Sequence, residues 1–212
     1  MSVTVVSVTP MSHPVINGSL HYTECMGRWE PGARERLVRA SLELYADPGF
    51  EQTTVADIAA RAGVTERTFF RHFTDKREVL FDGSADFQSS VLAGIEAAPT
   101  SATALEAAAA GMDAVAAYLE ARPDRQFPRT RAAVIAANPS LLERELLKLS
   151  NVSSAAARAL QERGASELEA RVAADAAMAA FHLGFERWVS SPEQLDLRAL
   201  VAEGVAAFRA LA

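Results

Sequence analysis

A short stretch between residues 61 and 77 concentrates side chains that could make specific polar contacts with another molecule. It holds five basic residues and two acids, whereas the whole chain of 212 residues carries a net charge of −6. Arginine can bind guanine O6 and N7 through two hydrogen bonds, and glutamate can accept one from cytosine N4. A cationic face on an acidic chain suits a local phosphate site, although an ordinary solvated helix face would look similar. The basic residues are Arg61, Arg67, Arg71, Lys76 and Arg77, and the acids are Glu66 and Asp75.

Two short helices joined by a tight turn are predicted to position these side chains. Thr54 can cap the first helix, and Asp57, three residues later, completes the spacing of a capping box. Gly63 accepts the left-handed backbone of a turn, and Thr65 is a good cap for the second helix. The apolar positions of the first helix repeat at helical spacing, so one face is expected to turn inward. These positions are Val55, Ile58, Ala59 and Ala62.

The second helix presents different chemistry on its two faces. Phe69 and Phe73 lie four residues apart and are expected on the buried side. An apolar anchor beneath a polar, cationic outer face is what a helix inserted in the DNA major groove needs. The pattern therefore predicts a helix-turn-helix. Its outward side chains are Glu66, Arg67, Phe70 and Arg71.

The same residues carry a resemblance to a known family. Residues 63–80 read G-V-T-E-R-T-F-F-R-H-F-T-D-K-R-E-V-L, which resembles the signature of TetR-type transcriptional regulators, roughly G-V-S-x-x-T-L-Y-x-H-F-x-x-K-x-x-L. Residues 49–59, G-F-E-Q-T-T-V-A-D-I-A, are similar to the approach to that motif. The resemblance covers about residues 34–82, and beyond them only the helical pattern and the length agree with the family.

The resemblance implies roles for individual positions. Glu66, Arg67 and Phe70 match positions that meet base edges. Phe70 stands where tyrosine is usual, so it lacks a phosphate-binding hydroxyl and offers only apolar contact, for example with a thymine methyl. His72, taken alone, is more typical of a packed histidine whose ring bonds a backbone carbonyl. The positions that would hold phosphates or brace the motif are Thr54, Thr65, Thr68, Arg71, His72 and Lys76.

The chain as a whole is predicted to be all-α, with about nine helices. We expect a flexible extension at residues 1–28, a three-helix DNA-binding domain at 29–82, and a larger ligand-sensing and dimerisation domain at 83–212. The first helix should begin near Pro31 and stop at the Asp47-Pro48-Gly49 sequence, and a fourth should run over residues 75–97. Ser191-Pro192 is expected to open the last helix. Capping-box spacing occurs at Thr103 and Glu106, at Ser140 and Glu143, and at Ser166 and Glu169.

The last two helices, at about residues 166–190 and 195–211, carry apolar side chains on more than one face. A stripe of small residues on the first of them would let another helix approach closely. A second apolar face suggests a partner, although an ordinary core within one chain is the alternative. The resemblance implies a homodimer through these helices, matched to a palindromic operator. The small residues are Ala173, Ala177, Ala180 and Gly184.

A small-molecule site is expected between the helices of the second part. Arg129, Arg131 and His182 are the polar groups expected to meet a polar or anionic ligand end, although apolar stripes of this kind are also typical of packed cores. The resemblance implies that the effector favours a form that does not fit DNA. The candidate ligand-binding residues are Met112, Tyr118, Phe127, Arg131, Leu146, Phe181, His182 and Phe185.

Other classes of protein find little support in the sequence. Cys25 is the only cysteine, which excludes an intrachain disulfide and fits a reducing, cytoplasmic location. We expect no membrane span, no secretory signal, no metal site, no cofactor and no catalytic residues, because none of the corresponding motifs occurs. An enzyme is therefore disfavoured. A helical adaptor that keeps the motif as a scaffold remains an alternative, and the sequence does not distinguish an activator from a repressor.

Overall fold

The computed structural model describes residues 32–122 and 124–211, so the extension expected at residues 1–28 lies outside the described residues. The described part contains nine α-helices and no strand, which confirms the predicted all-α class. The helices are α1 (Ala33–Leu44), α2 (Val55–Arg61), α3 (Glu66–His72), α4 (Ser84–Ala97), α5 (Ala104–Glu120), α6 (Gln126–Ala136), α7 (Pro139–Glu162), α8 (Glu167–Ser190) and α9 (Leu197–Ala210). None of them combines the length and apolar character needed to cross a membrane.

The first buried cluster joins α1, α2 and α3. Leu37, Ile58 and Phe69 contribute one fully buried side chain from each of these helices. Val134 and Ile135 of α6 belong to the same cluster. The three N-terminal helices and part of α6 therefore share one core.

The second buried cluster lies among α4, α5, α7, α8 and α9. Small residues bring these helices close together: a Cβ added at Gly94 would lie 2.6 Å from the Ala110 carbonyl oxygen, and one at Gly204 would lie 2.9 Å from the Ala180 Cβ. The predicted stripe of small residues on α8 is buried, and two of its members contact α9 of the same chain.

The prediction of one helix over residues 75–97 is wrong. A 3-10 turn at Glu78–Phe81 is followed by a break, and α4 begins only at Ser84. Gly83 has a left-handed φ of 83°, and Asp82 before it is extended with ψ 136°. The apolar spacing that suggested a continuous helix arises because Val79 and Leu80 before the break, and Phe87 and Val91 of α4 after it, all pack against a buried cluster.

The capping boxes at Thr54, Thr103 and Ser166 are confirmed. The one predicted at Ser140 and Glu143 is wrong, because α7 already begins at Pro139. Proline is favoured at the first helical position, where its missing N–H is not needed.

The last helix does not open at Ser191-Pro192, as predicted from the sequence. Helix α9 begins at Leu197, and the Asp196 side chain caps it by accepting a hydrogen bond of 2.9 Å from the Ala199 N–H. Ser191 instead ends α8, where its N–H bonds the Arg187 carbonyl oxygen.

Candidate nucleic-acid interface and cavity

The turn between α2 and α3 is fixed by backbone hydrogen bonds. The Val64 N–H donates to the Ala59 carbonyl oxygen over 2.9 Å, and Gly63 takes a left-handed φ of 66°. The Thr65 hydroxyl then accepts from the Thr68 N–H over 3.2 Å, which caps α3. These contacts set the angle at which α3 leaves α2.

Helix α3 turns one face into the core and one towards solvent. Phe69 is fully buried and Phe73 is nearly so, whereas the Phe70 ring is 56% exposed. The structure thus brings together on one outer surface the four side chains predicted to face outward. They are Glu66, Arg67, Phe70 and Arg71, and all four are exposed.

The hydroxyl of Thr54 is engaged in the predicted cap of α2. The Asp57 carboxylate accepts hydrogen bonds from the Thr54 hydroxyl (2.6 Å) and from its N–H (2.9 Å). These bonds, the hydroxyl one first, lower the pKa of Asp57 below that of an ordinary carboxyl. Both residues are exposed, so the cap lies at the surface of the unit.

The side chain of Lys76 makes its contacts within the N-terminal three-helix region. Its ammonium donates to the carbonyl oxygens of Phe50 (2.8 Å) and Thr53 (3.0 Å) and lies 4.3 Å from the centre of the Phe50 ring. Tyr45 donates its hydroxyl proton to the Lys76 carbonyl oxygen over 2.5 Å, and burial raises the pKa of that phenol. Of the two roles implied for Lys76, these contacts favour bracing over phosphate binding.

His72 is half-buried at the end of α3. Its Nε2 atom is buried and has no hydrogen-bond partner among the described residues, so the carbonyl expected for a packed histidine is not found at this atom. The ring lies 6.4 Å from the centre of the Phe73 ring.

A cavity of about 930 Å³ is lined by residues of α4, α5, α6, α7, α8 and α9. Neither Met112 nor Leu146 lines it: Met112 is fully buried in the second core cluster, and Leu146 is 54% exposed on α7. Six of the eight predicted ligand-binding residues do line the cavity. They are Tyr118, Phe127, Arg131, Phe181, His182 and Phe185.

The polar side chains predicted to contact a ligand mostly have hydrogen-bond or ion-pair partners within the chain. Arg131 forms a two-point ion pair with Glu145 (2.9 and 2.8 Å) and also donates to the Leu80 carbonyl oxygen over 2.7 Å. Arg129 donates to the Ser191 carbonyl oxygen over 2.7 Å. His182 lies 3.3 Å from the carboxylate of Glu186, one helical turn further along α8.

Lys148 lines the cavity but was missed by the sequence analysis. Its Nζ atom lies 3.3 Å from the Ser84 hydroxyl and 4.4 Å from the centre of the Phe81 ring. Burial, and after it the neighbouring Arg144, lower the pKa of this lysine. A lysine set in the apolar run Leu146-Leu147-Lys148-Leu149 was the available signal, since the chain has only one other lysine.

An apolar stripe follows the outer face of α8. Leu168, Val172 and Leu183 are 74%, 59% and 56% exposed. Ala176 and Ala179 continue the same helical face between them, opposite the buried side of the helix. Trp188, a bulky residue near the end of the same helix, is buried inside the chain and so does not belong to this exposed face.

Comparison with known proteins places these features in context. Residues 37–82 match the family described as bacterial regulatory proteins, tetR family. The HTH-type transcriptional regulator TcmR of Streptomyces glaucescens is 39% identical over 82 residues, which are 39% of this chain and 36% of TcmR. The uncharacterized HTH-type regulator YerO of Bacillus subtilis is 36% identical over 47 residues, which are 22% of this chain and 16% of YerO. The matches therefore span about a third or less of these relatives.

Solved structures share the fold over most of the chain. The fatty acid degradation regulator FadR from Bacillus halodurans has a TM-score of 0.60 at 19% identity, covering 84% of this chain and 94% of FadR. SmeT, the repressor of the Stenotrophomonas maltophilia multidrug efflux pump SmeDEF, has a TM-score of 0.57 at 20% identity, covering 84% of this chain and 89% of SmeT. A SmeT–triclosan complex matches with a TM-score of 0.59 at 20% identity, over 84% of this chain and 91% of that one.

Proposed function

We propose that this chain, whose residues 37–82 match the tetR family of bacterial regulatory proteins, represses transcription by binding a palindromic operator until a small-molecule effector releases it. The observation that carries the proposal is the exposed face of α3, which the buried Phe69 beneath it anchors to the core of α1, α2 and α3. Such a regulator works without catalysis and acts in the cytoplasm. Whether it represses or activates depends on where the operator lies relative to the promoter.

The outer face of α3 can read bases directly. Arg67 is suited to guanine and Glu66 to cytosine, each contact contributing about 1–3 kcal/mol of discrimination. The exposed Phe70 ring fits the methyl group of thymine. Arg71, on the same surface, would contact phosphate, and such contacts position the protein without specifying sequence.

A second copy of the chain is the partner that a palindromic operator requires. The exposed apolar stripe of α8 (Leu168, Val172 and Leu183) supports this assignment, because it lies opposite the face that packs inside the chain. A twofold pair built on this stripe would present two α3 helices to half-sites about one helical turn, roughly 34 Å, apart.

Helix α6 supplies a physical route from the cavity to α3. Phe127 and Arg131 line the cavity, while Val134 on the same helix belongs to the core shared with α1, α2 and α3. A ligand that displaces α6 would therefore shift the three-helix unit. The affinity for DNA then falls by the factor by which the ligand binds the shifted arrangement more tightly than the DNA-binding arrangement.

Titration of labelled intergenic DNA from beside the gene, followed by fluorescence anisotropy, tests the proposal. Arg67→Ala should weaken binding to the specific fragment by about 5- to 150-fold, because it removes a base contact worth about 1–3 kcal/mol. Arg158→Ala removes the same charge from an exposed position on α7 and should leave binding unchanged. Equal binding of operator and random DNA by the unaltered protein would refute the function.

A further inference from the structure

We propose that the cavity selects amphipathic ligands with one carboxylate on an apolar body, and that Lys148 and Ser84 bind the carboxylate. The inference rests on the proposed function only in treating the cavity as the effector site. It concerns the chemical class of the ligand and the residues that recognise it.

Most other cations of the cavity wall already have partners within the chain. Arg131 is paired with Glu145, and Arg187 with Glu203 over 2.9 Å. Lys148 forms no ion pair with any carboxylate of residues 32–122 and 124–211, and its hydrogen bond goes to the neutral Ser84 hydroxyl. Lys148 is therefore a half-buried cation that a ligand anion can neutralise. Arg129, the other half-buried cation of the wall without a carboxylate, is held by the Ser191 carbonyl oxygen.

The acids of the cavity wall show the complementary pattern. Three of the four are paired with an arginine, so a positively charged ligand would have to displace an existing ion pair at each of them. The pairs are Asp82 with Arg34, Glu145 with Arg131, and Glu203 with Arg187, and the fourth acid, Glu186, lies 3.3 Å from the imidazole of His182. The charges of the wall thus favour an anion over a cation.

Further positive charge surrounds the same point. The ring of Phe81 lies 5.5 Å from the Arg131 guanidinium, 5.7 Å from that of Arg144 and 4.4 Å from the Lys148 ammonium. Glu145 neutralises the first and Glu78 the second. The third, Lys148, forms no ion pair within the described residues, and burial, with Arg144, lowers its pKa more than the nearby Glu145 and Asp82 raise it. Because burial has removed part of its hydration, a carboxylate would replace the lost water contacts.

Aromatic rings provide the surface for the apolar body. Phe87 meets Phe181 edge-on, with ring centres 5.6 Å apart, and Phe181 stacks on Phe185 at 5.9 Å. All three line the cavity together with Ser84. Ser84 and Phe87 lie three residues apart on α4, so an anionic head at Ser84 and an apolar body against Phe87 are contacts that one ligand can make at once.

The location of the anion site gives it a regulatory consequence. Ser84 opens α4 directly after the 3-10 turn Glu78–Phe81, and its hydroxyl donates to the Phe81 carbonyl oxygen over 2.6 Å. A carboxylate at Ser84 would compete for that hydroxyl at the junction that follows the helix-turn-helix. Ligand charge, in addition to ligand size, would then affect release from DNA.

Isothermal titration calorimetry on the DNA-free protein tests the inference with straight-chain carboxylates from octanoate to hexadecanoate. Decan-1-ol and decyltrimethylammonium serve as neutral and cationic counterparts of decanoate. At least one carboxylate should bind saturably and more tightly than its alcohol. Lys148→Met should weaken the carboxylate by about tenfold while leaving the alcohol unchanged, and Lys148→Arg should retain most of the affinity. Arg122→Met, which removes a cation that stacks on Tyr118 in the same wall, should have no effect.

The outcomes separate this inference from the proposed function. Equal affinities for acid and alcohol, an equal loss of both in Lys148→Met, a loss in Arg122→Met instead, or no carboxylate binding would each overturn it. Circular dichroism of each variant verifies that it folds. Lys148-dependent carboxylate binding without any operator binding would uphold the ligand class and refute the regulator. Operator binding by a protein indifferent to carboxylates would do the reverse.

Discussion

The ammonium of Lys76 donates a hydrogen bond of 2.8 Å to the carbonyl oxygen of Phe50 and lies 4.3 Å from the centre of its ring. Lys76 follows α3, and Phe50 precedes α2, so this contact closes the helix-turn-helix from its two ends. A cation in this position contributes to the free energy of folding and holds α3 at its angle to α2.

Lys76→Met should therefore destabilise the protein by about 2–3 kcal/mol, because it leaves carbonyl oxygens of Phe50 and Thr53 without their charged donor. Urea denaturation of the two proteins measures the difference. Operator affinity should fall without a change in its dependence on salt. A reduction of that salt slope by about 1 would instead identify Lys76 as a phosphate contact, as expected for Arg71→Met.

The helix-turn-helix was predictable because local sequence determines it. Gly63 adopts the left-handed turn, Thr54 caps α2, and Phe69 is buried in the core, each as predicted from its residue type and position. The break at Gly83 was not found because an apolar pattern reports which residues face inward, and that pattern continues across a 3-10 turn. The Lys76 ammonium hydrogen-bonds the carbonyl oxygen of Phe50, which is 26 residues away in the sequence. Such a long-range contact cannot be predicted from the spacing of residues along the chain.

The crossing of α4 and α5 requires glycine. Replacement of a helical glycine by alanine normally stabilises by about 1 kcal/mol. At Gly94 the new Cβ would lie 2.6 Å from the Ala110 carbonyl oxygen and 2.8 Å from the Gly111 Cα, so the helices must separate. We expect Gly94→Ala to cost about 2 kcal/mol or more and to lower the Tm by roughly 4–8 °C.

Gly184→Ala is the matched control, since the atoms closest to its new Cβ are 3.3 Å away. Its effect should stay within about 1 kcal/mol. Similar Tm changes in the two variants, measured by differential scanning calorimetry, would contradict the assignment of the close approach to Gly94.

The capping boxes should make stability depend on pH in the acid range. Hydrogen bonds from Thr54, Thr103 and Ser166 lower the pKa values of Asp57, Glu106 and Glu169. A carboxyl whose folded pKa is lowered stabilises the protein fully above its unfolded pKa, near 4, and loses that contribution as the pH falls through the folded pKa. Urea midpoints should hence decline below about pH 4. Glu106→Gln should show a smaller decline than the unaltered protein, and an equal decline would exclude a contribution from this cap.

The exposed stripe of α8 can be tested against an equally exposed apolar residue elsewhere. Val172 on α8 and Leu147 on α7 are both 59% exposed. Val172→Arg should convert a dimer into monomers in sedimentation velocity experiments and abolish tight operator binding, because charged groups are disfavoured in the centre of an interface. Leu147→Arg should leave the protein dimeric. Dissociation by Leu147→Arg, with no effect of Val172→Arg, would move the interface to α7.

The apolar residues of the cavity wall were easier to predict from the sequence than its charged residues. Phe181 and Phe185 were placed correctly because helical spacing determines a shared face. Arg131 was chosen as a ligand contact on its charge alone, but Glu145 and the Leu80 carbonyl oxygen occupy it. The sequence could not show that Arg131 is paired with a carboxylate while Lys148 is not. This difference depends on contacts between α4, α6 and α7, which exist only in the folded chain.

The pair Arg131–Glu145 should be coupled far more strongly than a surface pair. Its side chains are 21% and 23% exposed, and two parallel hydrogen bonds join them. Arg187 and Glu203 are 59% and 65% exposed and share one hydrogen bond, so solvent screens them. Double-mutant cycles to methionine should give a coupling free energy of about 1–3 kcal/mol for the first pair and below about 1 kcal/mol for the second.

The same cycle has a functional readout, because Arg131 also binds the Leu80 carbonyl oxygen over 2.7 Å and so ties α6 to the end of the helix-turn-helix. Arg131→Met should leave the core of α1, α2 and α3 intact but reduce the factor by which a bound ligand weakens operator affinity, since that factor measures the coupling between the two sites. Arg198→Met, which breaks an exposed ion pair with Asp113 outside the cavity wall, should leave the factor unchanged. A full ligand response in Arg131→Met would show that the coupling passes through the apolar contacts of Val134 and Ile135 alone.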